Sequence, residues 1–267
     1  MLTGDNVQEE GLASYVQLRQ LVEARARSGE CRVGVIPGNH DTRRHIMQAF
    51  PEQFDSTGVG ALPATFAEQA QAQAGDASTA RATFAEVIGG WLVVGLDTLD
   101  DGQQRARRGE EVAPSGAGNG GFDSEQAAWL RSTLSAHPTT PAVIFLHHPP
   151  IASVREFGAP ADGPTPFDPI FEPAGLAALQ AVVADHQEQV KMVCAGHFHA
   201  DFATSIGGVP LVGTPASYAV QFDVATAGAL GSTDEGALPG YRVLELGAEG
   251  KVETRVVRVP LPTAASL

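Results

Sequence analysis

The chain has 267 residues, 43% of them hydrophobic, enough to bury the core of one α/β domain or at most two. Asp and Glu number 31 against 17 Lys and Arg, a formal charge of −14 that disfavours a broad nucleic-acid or anionic-membrane surface. Two cysteines, Cys31 and Cys194, make no disulfide framework, no apolar stretch reaches membrane-spanning length, and no basic-then-apolar leader opens the chain; a cytoplasmic protein is expected.

Taken in order, Leu2-Thr3 reads as the end of a strand that runs into Gly4-Asp5. A helix over 12–27 follows, with Tyr15, Leu18, Leu21 and Val22 at helical spacing. The apolar run 31–36 predicts a buried strand that stops at Pro37-Gly38 and opens into Asn39-His40-Asp41. A short helix through Ile46, Met47 and Phe50 comes next, then an Ala/Gln/Gly-rich stretch, 51–80, read as a loop with a helical piece. Residues 82–87 and 92–96 around Gly89-Gly90 predict a β-hairpin that ends at Asp97-Thr98. A charged and then Gly-rich loop, 100–121, precedes a helix carrying Trp129, Leu130 and Leu134, for which Asp123 is the N-cap and Gln126 stands in capping-box position. A buried strand over 142–146 ends at His147-His148-Pro149-Pro150, and a long loop over 157–173 leads to a helix opened by Pro173. A further buried strand over 190–195 ends at Gly196-His197-Phe198-His199, and the remainder is β-rich: 202–206, 210–212, and a hairpin of 241–246 with 252–257.

Asp5, Asn39-His40-Asp41, His147-His148 and His197-x-His199 therefore all stand at strand ends, and six of the eight histidines (His40, His45, His147, His148, His197, His199) lie in or beside these turns. Carboxyl ends of buried strands are where α/β folds place their chemistry. Packing alone gives no reason for that distribution. Imidazole, carboxylate and amide oxygen together suit transition metals such as Mn, Fe, Co or Zn, and two metals roughly 3.5–4 Å apart make a clamp for phosphoryl transfer.

Gly4-Asp5, Gly38-Asn39-His40-Asp41, His147-His148-Pro149-Pro150 and Gly196-His197-Phe198-His199 resemble the second to fifth motifs of the calcineurin-like metallophosphoesterases. Gly95-Leu96-Asp97-Thr98 and Gln126-x-x-Trp129-Leu130 point within it to bacterial class III cyclic-nucleotide phosphodiesterases and glycerophosphodiesterases. The resemblance implies a single domain over 1–267 with a four-layer α/β/β/α sandwich fold. It implies two divalent or trivalent metals and a small phosphodiester substrate, cut by a hydroxide bridging the metals. Position by position, Asp5 bridges, Asn39, His147 and His197 complete one metal site, and His199 binds the other. By the same resemblance His40 meets the phosphate, Asp41 orients His40, and His148 stands outside the ligand set. No nucleic-acid or membrane partner is expected, and a homodimer is compatible with the reading.

The family also begins with an Asp-x-His motif on a first strand, which this chain does not show before Asp5; the expectation is an N-terminally truncated domain, or a natural variant short of one metal. Alternative functions on the same scaffold are a phosphomonoesterase and a non-catalytic metal-binding relative. Three side readings complete the list. Arg43 and Arg44 could meet a phosphate or form a solvated helix face, Phe167-Asp168 could line the pocket though an exposed loop is favoured, and Tyr218 could reach the site.

Overall fold

The structure, a computed structural model, describes residues 1–7, 11–26, 33–54, 81–99, 120–157, 170–217, 221–223, 228–229, 236 and 238–260. Its strands are β1 (Leu2–Thr3), β2 (Val35–Ile36), β3 (Phe84–Ile88), β4 (Trp91–Gly95), β5 (Ala142–Leu146), β6 (Val190–Ala195), β7 (Ala203–Ile206), β8 (Val209–Gly213), β9 (Phe222–Asp223), β10 (Gly228–Ala229), β11 (Gly240–Leu246) and β12 (Val252–Arg258). Its helices are α1 (Leu12–Ala26), α2 (Arg43–Ala49), α3 (Pro51–Phe54), α4 (Ser124–Ala136) and α5 (Pro173–Asp185).

A six-stranded mixed sheet in the order β3-β4-β5-β6-β8-β7 forms the centre. Strands β4, β5, β6 and β8 run parallel, while β3 and β7 add antiparallel edges. The turn between β3 and β4 is Gly89-Gly90, both with positive φ, the backbone a tight right-twisting hairpin demands. Strands β1 and β2 pair in parallel, with Leu2 opposite Val35 and Thr3 opposite Ile36, and β11 pairs with β12.

Strand β5 shows how the layers stack, because Ala-Val-Ile-Phe-Leu has no polar face and is buried throughout. Ala142, Ile144 and Leu146 enter one core with Trp129, Leu130 and Leu134 of α4 and Leu179, Val182 and Val183 of α5. Val143 and Phe145 enter the other with Val35, Ile36, Tyr15 of α1, Ile46 of α2 and Phe54 of α3; Leu244, Leu246 and Val252 of the β11–β12 hairpin pack against it. Helices, sheet, the small strand pairs and helices again follow one another, the order that the four-layer α/β/β/α expectation requires.

Local chemistry explains the helix ends. Asp123 caps α4 by accepting the Gln126 N–H at 2.7 Å. The reciprocal half of the predicted capping box is replaced: the Gln126 side chain accepts from Asp97 N–H at 2.9 Å and donates to Asp97 C=O at 2.9 Å, tying α4 to the end of β4. Glu172, which sequence reading passed over, caps α5 through the Ala174 and Gly175 N–H groups, with Pro173 in the first turn. Leu21 is 69% exposed, so α1 buries a narrower stripe than its spacing predicts. The predicted strand over 31–36 is shorter as well: 31 and 32 lie outside the described residues, and only Val35–Ile36 is paired. Most of 51–80, 100–121 and 157–173 lies outside them too. Among the described residues no helix is long and apolar enough to cross a membrane.

Candidate metal centre

Asp5 follows β1, Asn39-His40-Asp41 follow β2, His147-His148 follow β5 and Gly196-His197-Phe198-His199 follow β6, so parallel pairing delivers four chain segments to one end of the molecule. Asn39 Oδ1 is the meeting point, 3.0 Å from His147 Nε2 and 3.0 Å from His197 Nδ1. Asp5 Oδ2 lies 3.4 Å from His147 Nε2, and Asp5 Oδ1 accepts the His40 backbone N–H at 2.9 Å. His147 spends its other nitrogen on the Thr3 carbonyl, 2.7 Å from Nδ1. An imidazole whose Nδ1–H is held by a carbonyl directs its Nε2 lone pair at the remaining neighbours, and here those are the acceptor oxygens of Asn39 and Asp5. Lone pairs converging at about 3.0–3.4 Å match the edges of a coordination polyhedron with bonds of ~2.1 Å. The donor set fits a transition metal.

Backbone strain concentrates at the same place. Four non-glycine residues among those described have positive φ, and three are Asp5 (53°), His197 (69°) and His199 (51°). Close packing adds to it. A Cβ on Gly4, whose φ is +94°, would collide with the His147 ring; one on Gly38 would strike Asp5 and come within 2.8 Å of the His147 Cε1. A cavity of about 480 Å³ opens beside this cluster, lined by Asp5, His40, His147, His197 and His199 and also by Tyr241.

A family model described as calcineurin-like phosphoesterase matches residues 1–201, which takes in all of these turns. The chain belongs to the calcineurin-like phosphoesterase family. It is 32% identical over 134 residues to a 3′,5′-cyclic-nucleotide phosphodiesterase of Nostoc sp., a match covering 49% of this chain and 44% of that protein. It is 26% identical over 261 residues to a probable cyclic nucleotide phosphodiesterase of Synechococcus sp., covering 96% and 74%. A 3′,5′-cyclic adenosine monophosphate phosphodiesterase of Pseudomonas aeruginosa is 25% identical over 264 residues, covering 97% and 74%. The chain thus spans less than half the length of the Nostoc relative and about three quarters of the other two.

For a phosphoesterase of this family the electrostatics are informative. Burial works to raise the Asp5 carboxyl, but His147 and the His40 N–H outweigh it and hold Asp5 well below the usual carboxylate range. Burial likewise opposes charge on His147, yet Asp5 overrides it and raises the imidazole. His197 is pushed down to about 3, first by burial and then by His147, and His148 is driven well below its ordinary value by burial and the same two neighbours. Burial thus disfavours charge on His197 and His148, while the Asp5 carboxylate favours it on His147.

Asp41 is buried and receives the Asn6 backbone N–H, the Asn6 side-chain amide at 2.8 Å, the Tyr15 hydroxyl at 3.1 Å and the Gly38 N–H at 2.9 Å. Of these donors the Gly38 N–H belongs to the turn that carries His40, and Asn6 and Tyr15 tie the carboxylate to neighbouring segments. The His40 ring stands exposed at the cavity.

Arg43 meets neither phosphate nor solvent. It is 2% exposed and forms a buried ion pair with Asp97, which also accepts from Ala82 N–H at 2.8 Å and Leu99 N–H at 3.0 Å. Its position just after a polar turn gave no sign of that partner, 54 residues away. Asn6 and Tyr15 were likewise missed, since each finds Asp41 only through the fold. His137 and His186, the two histidines away from these turns, are the C-cap residues of α4 and α5. Phe167-Asp168 and Tyr218 lie outside the described residues, whereas Thr214 and Pro215 line the cavity.

Proposed function

We propose that this chain hydrolyses a phosphodiester bond of a small molecule, a 3′,5′-cyclic nucleotide in the first place and a glycerophosphodiester in the second. The observation that carries the reading is the convergence of Asn39 Oδ1, His147 Nε2, His197 Nδ1 and Asp5 Oδ2 at 3.0–3.4 Å on the wall of a 480 Å³ cavity. The names of the Nostoc, Synechococcus and Pseudomonas relatives support the substrate class.

In this reading Asp5, Asn39, His147 and His197 would hold one metal, and Asp5 with His199, on the same cavity wall, would hold a second. When bound, the metals supply Lewis acidity and a water acidic enough to ionise near neutral pH. The chain's own residues do the rest. Asp5 Oδ1 fixes the His40 turn by its 2.9 Å bond to the backbone N–H, and Asp41 locks the same turn from below. That leaves the exposed His40 ring free to meet the phosphate and give a proton to the leaving oxygen. Holding the phosphate at metals resolves the conflict between an anionic substrate and a −14 chain.

The test is hydrolysis of bis-p-nitrophenyl phosphate and of cyclic AMP by the manganese-loaded chain, before and after chelation. Asn39→Ala and His197→Ala should abolish turnover and His186→Ala should leave it unchanged. Wild-type turnover in the first two sinks the assignment; metal binding without any turnover would favour the non-catalytic relative.

A further inference from the structure

His148 is fully buried, yet its Nε2 has no hydrogen-bond partner among the described residues. Such a nitrogen is costly to bury unless something accepts its lone pair or its proton. Strand β5 ends at Leu146, just before this pair, and the His147 and His148 rings lie edge to face with centroids 4.8 Å apart. The His148 ring also lies 4.7 Å from that of His197, and His147 lies 5.1 Å from His197. One nitrogen from each of the three rings falls within 4.8 Å of the other two. Imidazoles bound to one metal through bonds of ~2.1 Å place their ring centres about 3.2 Å from it, hence roughly 4.5–5.2 Å from one another. The trio meets that spacing.

The far side of His148 is organised as ligating histidines are, with the second ring nitrogen engaged by an oxygen. Nδ1 lies 2.9 Å from Thr98 Oγ1, and the His148 backbone N–H donates to the same oxygen at 3.2 Å. Thr98 is itself held at the end of β4, next to the Asp97 that binds Arg43 and Gln126. Gly120 packs against His148 from behind, where a Cβ would come within 2.5 Å of the His148 Cβ.

We propose that His148 is a third imidazole ligand, through Nε2, of the metal held by Asn39, His147 and His197, with Thr98 as the residue that positions it. The proposal rests on the metallophosphoesterase reading of the site. The family resemblance leaves His148 outside the ligand set, so the assignment is specific to this chain's geometry.

Cobalt(II) is the probe, added at one equivalent to the full chain, with imidazole ligands counted by X-ray absorption at the cobalt edge and affinity read by competition with a chromophoric chelator. His148→Ala should lose one imidazole from the count and bind at least tenfold more weakly, and free imidazole added to His148→Gly should restore the count. Thr98→Val should keep the count but weaken binding on the order of tenfold or more, as loss of an outer partner does. Should the alanine variant lose native circular dichroism, His148→Gln, closer in volume, replaces it. An unchanged count in a folded His148 variant overturns the ligand assignment while leaving the proposed function standing. A wild-type chain that takes up no cobalt overturns both.

Discussion

The buried pair Arg43–Asp97 joins α2 to the segment after β4, and a change of one atom tests what it contributes. Replacing Asp97 by Asn keeps the volume and creates no cavity, so the effect is electrostatic. The carboxylate now accepts from Arg43 Nε, from Arg43 Nη2 at 3.2 Å, from Ala82 N–H at 2.8 Å and from Leu99 N–H at 3.0 Å. An amide offers one oxygen to these donors and turns its NH₂ toward the rest. The guanidinium, 2% exposed, loses the counter-charge that faces it. Removing one partner of a buried ion pair costs about 3–5 kcal/mol, a large share of the 5–15 kcal/mol typical of a whole domain. Urea unfolding at neutral pH should therefore show Asp97→Asn about 3–5 kcal/mol less stable than wild type. The sign in acid also follows. Burial tends to raise the Asp97 carboxyl, but Arg43 and Arg81 hold it below its ordinary 3.8. Its contribution is present above pH 3.8 and fades as pH falls through the lowered value, so the gap between the two proteins should narrow only in strong acid. The exposed pair Arg131–Asp185 is the control, and Arg131→Ala should change stability by less than about 1 kcal/mol. A loss below about 1 kcal/mol for Asp97→Asn would refute the argument, since the pair would then be no more than a surface contact in energy.

Gly4→Ala places a Cβ against the His147 ring at a φ of +94° and should sharply weaken metal uptake in a cobalt titration while the chain stays folded. Cys194 is buried with its thiol pushed up to about 12, so in a Cys31→Ser background it should resist thiol reagents until the protein unfolds. His147 carries a raised pKa because of Asp5, so its stabilisation of the metal-free chain is full below pH 6.5 and lost as pH rises through the elevated value. Metal binding must displace that proton, and calorimetry in buffers of differing ionisation enthalpy should show proton release; a buffer-independent enthalpy counts against it.

What was legible in the sequence, and what was not, divides along a physical line. Strands buried on both faces announce themselves as short apolar runs, and 142–146 and 190–195 are found at their expected bounds. The polar turns that follow them were legible for the same reason: a histidine pair or His-x-His abutting such a run has nowhere to go but the sheet's carboxyl edge. Contacts fixed by long-range topology left no local trace. Arg43 finds Asp97 across 54 residues, and Asn6 finds Asp41 across 35. Gln126 sat in a capping-box position that predicted a local bond, and the backbone of Asp97 won its side chain instead. Leu21 fits the helical period but is left exposed, because the period states which face a residue is on and says nothing of how wide a face the neighbours cover.

The strain at the site and the network beneath it belong to one argument. Asp5, His197 and His199 hold positive φ, a conformation that costs of order 1–3 kcal/mol apiece in a non-glycine residue. Asn39 and Asp5 point acceptors at imidazole nitrogens, an arrangement that favours folding only when a cation or proton lies between them. Each of these is unfavourable locally, and each persists because the segments that carry it are pinned elsewhere: the Asn39 turn by Asp41 with Asn6 and Tyr15, the end of β4 by Arg43 and Gln126, the end of β5 by a strand with no exposed residue. Under the proposed function, a scaffold that fixes the donor geometry beforehand would let binding energy go into coordination, with little spent on ordering the loops.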